Sequence, residues 1–376
     1  MLCLAMMLSV MVMGAGAAFT DQDKIVNEEA VDMCAALNII NGYEDDSYRP
    51  ENNITRAETT KLIAMMLNGG RDASMALPTT PSFSDVKTSP NSKWAEKYIE
   101  YCAAAGIVCG WDGIFAPDNN VTGTEAAKML LVSLGYDAVK EGFEGAAWAV
   151  NVNVKAGQVG LYDGLKTMDV SAPLTRDNAA QIIWNTLNAE VVKYSAAGQA
   201  IGMGYSLLND AYNADATTAI MTDINAYSKD ATVYEYTLSN GVKVTSKVDY
   251  SDDFAKNVSV VYNSKKEALN IFASKDAVVA EGILGNIDNY KALGTKTAVV
   301  INGEKFGVDN KASNITLNVV NFNQYSDAAF DSTQANAVGI WNNKVAVQYG
   351  FRAIDTMLLP MSLIRTPRFI ACTARI

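Results

Sequence analysis

The side chains best placed for chemistry are two arginines. Arg56 and Arg176 each follow a threonine, Thr55 and Thr175, that opens an apolar-periodic stretch. A threonine in that place caps a helix, and the next residue sits at the positive end of the helix dipole among backbone N–H groups that lack helical acceptors. A guanidinium there adds a charge and a two-pronged donor, which makes an anion site suited to a carboxylate or a phosphate. The alternative reading is a solvated helix-end arginine with no ligand. A third threonine in the same setting, Thr122, is followed by Gly123 and then Thr124, so at most two well-formed sites are expected.

Other chemistries are thinly represented. There is no histidine in the chain, which removes the commonest general base, the usual zinc ligand and any Ser-His or Cys-His pair. Of the five cysteines, Cys3, Cys34, Cys102, Cys109 and Cys372, none forms a CxxC pair. They read as buried small hydrophobes, with a disulfide or a metal site as the alternative. Asp45, Asp46 and Asp112 offer calcium ligands, but no D-x-D-x-D-G spacing accompanies them, so turn chemistry is the simpler reading and no cofactor is expected. A net charge of −11 argues against a partner that is nucleic acid, which requires a basic stripe.

Positioning the arginines requires a repeated element. Around Thr55 the chain reads ALNIINGYEDDSYRPENNITRAETTKLIAMML, and around Thr122 it reads AAAGIVCGWDGIFAPDNNVTGTEAAKMLLVSLG. Gly42 aligns with Gly110, Tyr48 with Phe115, Pro50 with Pro117, Asn53 with Asn120 and Glu58 with Glu125. A more eroded third copy runs from Trp148 past Thr175. Trp148 precedes Thr175 by 27 residues and Trp94 precedes Thr122 by 28, and Gly106 and Gly160 each lie 12 residues after their tryptophan. Each copy predicts a first helix ending at Asn38, Gly106 or Gly160, a loop rich in Gly, Asp and Asn with Pro50, Pro117 or Pro173, and a second helix capped by the threonine. Thr55 with Glu58 and Thr122 with Glu125 have capping-box spacing, which Asn178 breaks in the third copy. Two short helices cannot bury both apolar faces alone, so three copies are expected to pack around a shared axis. Trp94 and Trp148 read first as core anchors, since large aromatics most often serve packing.

These residues resemble the S-layer homology family. Phe19-Thr20-Asp21 and Phe83-Ser84-Asp85 match its F-x-D opening, Gly110 to Pro117 its G-x-x-D-G-x-F-x-P loop with one residue fewer before the Asp, and Ile54-Thr55-Arg56-Ala57-Glu58 its helix start, over roughly residues 19 to 192. The resemblance implies an all-α trimer of repeats, a pseudo-threefold helical bundle, that binds secondary cell-wall polysaccharide, often pyruvylated, in grooves between repeats. Other S-layer proteins are a further possible partner. Carried onto this chain, it implies Arg56, Arg176, Thr55, Thr175, Gly42, Gly110, Asp85, Trp94 and Trp148 as glycan-binding positions.

The organisation expected is multidomain. Residues 1–18 are uncharged and end in small residues, as in a signal peptide, although no Lys or Arg precedes the apolar run. Repeats follow at 19–75, 82–137 and 143–192, then a linker at 193–204 and a mostly-β region at 205–350. Strands are expected at 232–238 and 242–248 about Ser239-Asn240-Gly241, at 297–301 and 304–308 about Asn302-Gly303, and at 258–262, 269–273, 277–284, 315–322 and 338–349. No motif there carries chemistry, and Asp252-Asp253 most simply ends a strand. The stretch 351–376 holds four arginines against one aspartate and breaks in composition with the rest, as a frameshifted end or a basic tail would. No later segment is apolar enough to span a membrane, so export implies a secreted or wall-attached product. A structural wall anchor is the leading expectation, and an enzyme is not. An anchored carbohydrate hydrolase and a displayed glycan- or host-binding module, with Tyr234, Tyr236, Tyr262 and Trp341 either exposed or in the core, are the alternatives.

Overall fold

The computed structural model describes residues 19–72, 77–221, 233–250, 253 and 256–273, together with the backbone of residues 222–226 and of strands at 281–283, 298–301, 304–307, 316–320 and 344–348. The expectations for 1–18, 351–376, Cys3, Cys372, Asp252 and Trp341 lie outside the described residues. Two compact units divide the chain, Met1–Ala216 and Thr217–Ile376. The first is mostly helical, and the described elements of the second are strands.

In the first unit each repeat contributes two helices: α1 (Glu28–Ala36) and α2 (Arg56–Leu67), α3 (Glu96–Ala104) and α4 (Gly123–Ser133), α5 (Trp148–Gln158) and α6 (Arg176–Asn188). The first helices stop where a left-handed residue turns the chain: φ is +57° at Asn38, +70° at Gly106 and +80° at Gly160. In each case an N–H just beyond returns to the last turn, from Ile39 to the Cys34 carbonyl, Ile107 to Cys102 and Leu161 to Ala156. The second helices start on their threonines. Thr55 and Thr122 close full capping boxes with Glu58 and Glu125, whereas Thr175 accepts from the Asn178 N–H without a reciprocal bond. Thr55→Ala and Thr122→Ala should therefore each cost about 1 kcal/mol, and Thr175→Ala less, which denaturant unfolding of the three variants would rank.

Packing joins the repeats in a cycle. Helices α2, α4 and α6 meet one another at the centre, while α3 docks on α2, α5 on α4 and α1 on α6. The buried thiols mark this order: Cys102 lies 3.6 Å from the Thr60 carbonyl and Cys34 lies 3.8 Å from that of Ala180, five residues past Thr55 and Thr175 respectively. Just before the three caps, Ile54 donates to Leu174, Leu174 to Val121 and Val121 to Ile54, at 2.9, 2.8 and 3.1 Å. Three loop segments with no strand neighbours thereby satisfy one another's buried backbone groups.

Residues 193–204 are not a linker. They belong to an antiparallel hairpin, β1 (Glu190–Tyr194) with β2 (Ala200–Ser206), followed by α7 (Leu207–Tyr212). The small residues that suggested flexibility form its turn, with Gly198 at φ +79° and its N–H on the Ser195 carbonyl. The hairpin and α7 fasten to the ends of the central helices. Val192 N–H bonds the Leu134 carbonyl at 2.9 Å, and the Tyr212 hydroxyl reaches that of Met65 at 3.4 Å. Gly135, at φ +102°, makes room for this, since a Cβ there would lie 2.2 Å from the Val192 oxygen. The first unit thus ends at residue 216, later than the break expected after 204.

The second unit contains a sheet in the order β5-β4-β3-β6-β7, from β3 (Ala214–Ala226), β4 (Tyr234–Leu238), β5 (Lys243–Ser246), β6 (Asn257–Asn263) and β7 (Ala268–Ala273). Gly241, at φ +85°, makes the expected turn between β4 and β5. One face is filled by Met221, Tyr236, Leu238, Val244, Val258, Val260 and Ile271. Tyr236 and Tyr262 point into this core and Tyr234 packs against it, so these rings form no exposed row. Later strands β8 (Glu281–Ile283), β9 (Ala298–Ile301), β10 (Glu304–Gly307), β11 (Thr316–Val320) and β12 (Lys344–Gln348) fall within expected ranges, with β9 paired to β10 and β12 between β11 and β8. The long strand β3 was not expected.

Candidate functional site in the inter-repeat grooves

The loop after each first helix is locked by the aspartate of the F-x-D triplet. The Asp21 carboxylate accepts from the Tyr48 and Arg49 N–H groups at 2.7 and 2.8 Å, and Asp85 accepts from Phe115 and Ala116 at 2.9 and 2.7 Å. Both bonds hold a left-handed residue, Arg49 or Ala116, each at φ +56°. The phenylalanine of the triplet then lies over the loop ring, Phe19 on Tyr48 at 5.2 Å and Phe83 on Phe115 at 5.1 Å. Gly42 and Gly110 admit those phenylalanines, because a Cβ would come within 2.9 Å of Phe19 and 2.7 Å of Phe83. Asp85, Gly42 and Gly110 therefore shape the loops.

Each arginine serves the loop of a neighbouring repeat. Arg176 Nε donates to the Tyr48 carbonyl at 3.0 Å and its Nη2 to Asn41 at 3.5 Å, with the guanidinium 4.8 and 5.0 Å from the Tyr43 and Tyr48 ring centres. Arg56 Nε donates to Phe115 at 3.0 Å and its Nη2 to Cys109 at 3.3 Å, with the guanidinium 4.6 Å from the Phe115 centre. Both are half-buried, and among the described residues neither is in an ion pair. Burial pulls the Arg56 guanidinium below its usual range, with the attraction of Glu125 opposing.

The helix-start amides, in contrast, are occupied. Arg56 and Ala57 N–H groups donate to the Asn119 and Pro117 carbonyls at 2.8 and 3.0 Å, and those of Arg176 and Asp177 to Asn52 and Pro50 at the same distances. The expected anion site of free N–H groups is thus not formed, because the adjoining loop supplies carbonyl acceptors. What is left to meet an anion is the guanidinium.

A groove of about 220 Å³ opens beside Arg176. It is lined by Gly42, Tyr43 and Tyr48 from the first loop, Glu58 and Lys61 from α2, Trp94 from the second repeat and Arg176 from the third. Trp94 is 45% exposed, its Nε1 donates to the Asn91 carbonyl, and Lys61 Nζ stands 5.8 Å from its ring centre. It is a groove wall rather than a core anchor. The same lysine–tryptophan pairing recurs one repeat on, with Lys128 Nζ 5.8 Å from the half-buried Trp148, and Arg56 lies on Phe115 as Arg176 lies on Tyr48. Thr55 and Thr175 hold the helix starts that carry the arginines and spend their hydroxyls on caps.

The third position lacks all of these groups. Gln181 stands where Lys61 and Lys128 stand, six residues past the cap, Val26 stands 12 residues before Asn38 where Trp94 and Trp148 precede Gly106 and Gly160, and Gly123 replaces the arginine. Gly123 is pressed on the third loop, where a Cβ would be 3.1 Å from the Val170 Cα. The missing arginine thus faces the loop of the third repeat, not that of its own. Gly123→Arg should give no third site and should lower stability by about 1–3 kcal/mol through overpacking, read from the unfolding midpoint.

Sequence reasoning missed Lys61, Lys128 and Tyr43, although the equal offset of the two lysines from their caps was visible in the alignment. Among the described residues no cluster of three or more His, Cys, Asp or Glu side chains is arranged to hold a metal ion. Asp45, a proposed calcium ligand, is spent on Ser47 and Arg49, and these bonds hold its carboxyl down at about 2. Asp46 and Asp112 occupy left-handed turn positions. Cys34 and Cys102 are buried free thiols, with burial raising Cys34 and pushing Cys102 up to about 12, whereas Cys109 is exposed rather than buried.

Comparison with known proteins agrees with this geometry. The profile of the S-layer homology domain matches residues 18–60 and 82–127. A cell surface protein of Thermoanaerobacter kivui is 28% identical over 272 residues, 69% of this chain and 33% of the relative. A cellulosome-anchoring protein of Acetivibrio thermocellus is 36% identical over 91 residues, 24% of this chain and 20% of the relative, and an exoglucanase XynX of that species is 28% identical over 174 residues, 43% and 15%. The chain spans a third or less of the length of these relatives. The chain thus contains two segments that match the S-layer homology domain, each with its aspartate-locked loop and capped helix.

Proposed function

We propose that the chain is held non-covalently at the bacterial cell surface by its repeats, which grip an anionic secondary cell-wall polysaccharide such as a pyruvylated glycan. The repeats at 19–75, 82–137 and 143–192 form a pseudo-threefold bundle, a reading supported by the closed cycle of bonds among Ile54, Val121 and Leu174. The observation that carries the proposal is the groove in which a half-buried guanidinium, a lysine and an exposed tryptophan converge, together with the repetition of that set at Arg56, Lys128 and Trp148. An aromatic face takes the apolar side of a sugar ring, and a guanidinium in no ion pair among the described residues takes a ketal carboxylate or a phosphate. The relatives named for the cell surface and for anchoring fit this role. Among the described residues no helix is long and apolar enough to cross a membrane. The role is structural display of the second unit rather than catalysis.

Sedimentation with purified walls tests the proposal. The full chain should pellet with native walls and stay in solution once the secondary polymer has been chemically removed. Equal binding to bare peptidoglycan would overturn it.

A further inference from the structure

The five-stranded sheet of the second unit closes on itself. Beyond the order β5-β4-β3-β6-β7, Thr245 of β5 bridges Glu267 beside β7 in parallel, and the Thr245 N–H donates to the Lys266 carbonyl at 2.8 Å. Taking β3 as first strand, the barrel runs 1-2-3-5-4 and back to 1, with its first two hairpin pairs antiparallel and the seam between third and fifth parallel. That is the strand order of the OB barrel, whose second and third strands and fourth-to-fifth loop form a surface for oligonucleotides or oligosaccharides. Topology alone assigns no ligand, so the side chains on that surface must decide.

They gather positive charge in an otherwise acidic chain. Outward positions of β4 and β5 are Glu235, Thr237, Lys243 and Thr245, and Lys247 follows directly. Across the seam, the β6–β7 loop presents Lys265 and Lys266. That loop is a fixed tight turn: the Asn263 carboxamide oxygen accepts from the Lys265 and Glu267 N–H groups at 2.9 and 3.0 Å, and Asn263 Nδ2 donates to the Glu267 carboxylate at 2.8 Å. Lys243 is committed to Glu235 at 3.7 Å, but Lys247, Lys265 and Lys266 are exposed and in no ion pair among the described residues. Single-stranded nucleic acid requires exposed rings for base stacking, and the described outward positions here hold hydroxyls, amines and the Glu235 carboxylate instead. We infer that this face of the barrel, centred on Lys247, Lys265 and Lys266, is a second binding site, separate from the inter-repeat grooves, for a carboxylated or phosphorylated oligosaccharide.

The test uses the full chain carrying Arg56→Ala and Arg176→Ala, so that the grooves are silent, with oligogalacturonate as probe at low salt. Binding should persist in that background, weaken as salt is raised, and fall by about tenfold or more when Lys247→Gln, Lys265→Gln and Lys266→Gln are added. The three lysines are exposed, so an unchanged unfolding midpoint confirms an intact barrel. No binding in the silenced background, or binding that ignores the three substitutions, would overturn the inference. So would equal or tighter binding of an oligothymidylate, which would assign the face to nucleic acid.

Discussion

Arg56→Ala combined with Arg176→Ala is expected to weaken wall binding by two orders of magnitude or more. A hydrogen bond to a charged group contributes about 1.5–3 kcal/mol, and losing one such contact in each of two grooves removes the charge that meets the polymer in both. The same variant should lose stability, because each guanidinium also bonds two carbonyls of the adjoining loop. A loss of about 1–2 kcal/mol per arginine leaves a multi-helix unit folded but softened. Lysine substitutions separate the two roles. They keep the charge but cannot reproduce the fork that reaches two carbonyls, so Arg56→Lys and Arg176→Lys should retain part of the wall binding while showing a similar fall in unfolding midpoint. Loss of binding in proportion to lost stability across both series would mean that the arginines act only through the fold.

The largest effect on stability is expected from Phe115→Ala. Its ring is fully buried, lies against Phe83, and forms the surface on which the Arg56 guanidinium rests. Truncation should cost about 3–5 kcal/mol in lost burial and a residual cavity, measured by denaturant unfolding. Because the first and second loops lock independently through Asp21 and Asp85, binding through the Arg176 groove should survive under conditions where the variant is still folded. Tyr48→Phe is the mild counterpart. It keeps the ring and removes only the hydroxyl bond to the Arg176 carbonyl at 2.7 Å, for about 1 kcal/mol.

The parts of this architecture that were legible in the sequence are those set by local chemistry. The helix stops at Asn38, Gly106 and Gly160, the two capping boxes with the broken third, and the turn at Gly241 follow from single-residue conformational preferences and fixed spacings. What escaped depends on contacts between distant segments. The helix-start amides looked free because the carbonyls that fill them, of Asn119, Pro117, Asn52 and Pro50, come from other repeats. Trp94 looked like a core residue because only the neighbouring loop and α2 reveal the groove that it walls. The hairpin at 190–206 was hidden by a turn whose Ser-Ala-Ala-Gly composition also describes a flexible tether. Strand β3 was missed because its alanines, aspartates and asparagine have weak strand preference and interrupt its threonines and isoleucines, and its place between β4 and β6 makes it a strand.

A crystal structure of the chain with an anionic wall oligosaccharide would show how the three inter-repeat positions divide the binding. Ligand density is expected between Lys61, Trp94 and Arg176, and between Lys128, Trp148 and Arg56, with the acidic group on each guanidinium and the sugar ring against each tryptophan. Ligand beside Gly123 and Gln181, or a ligand bound to the chain with both arginine grooves empty, would contradict that division.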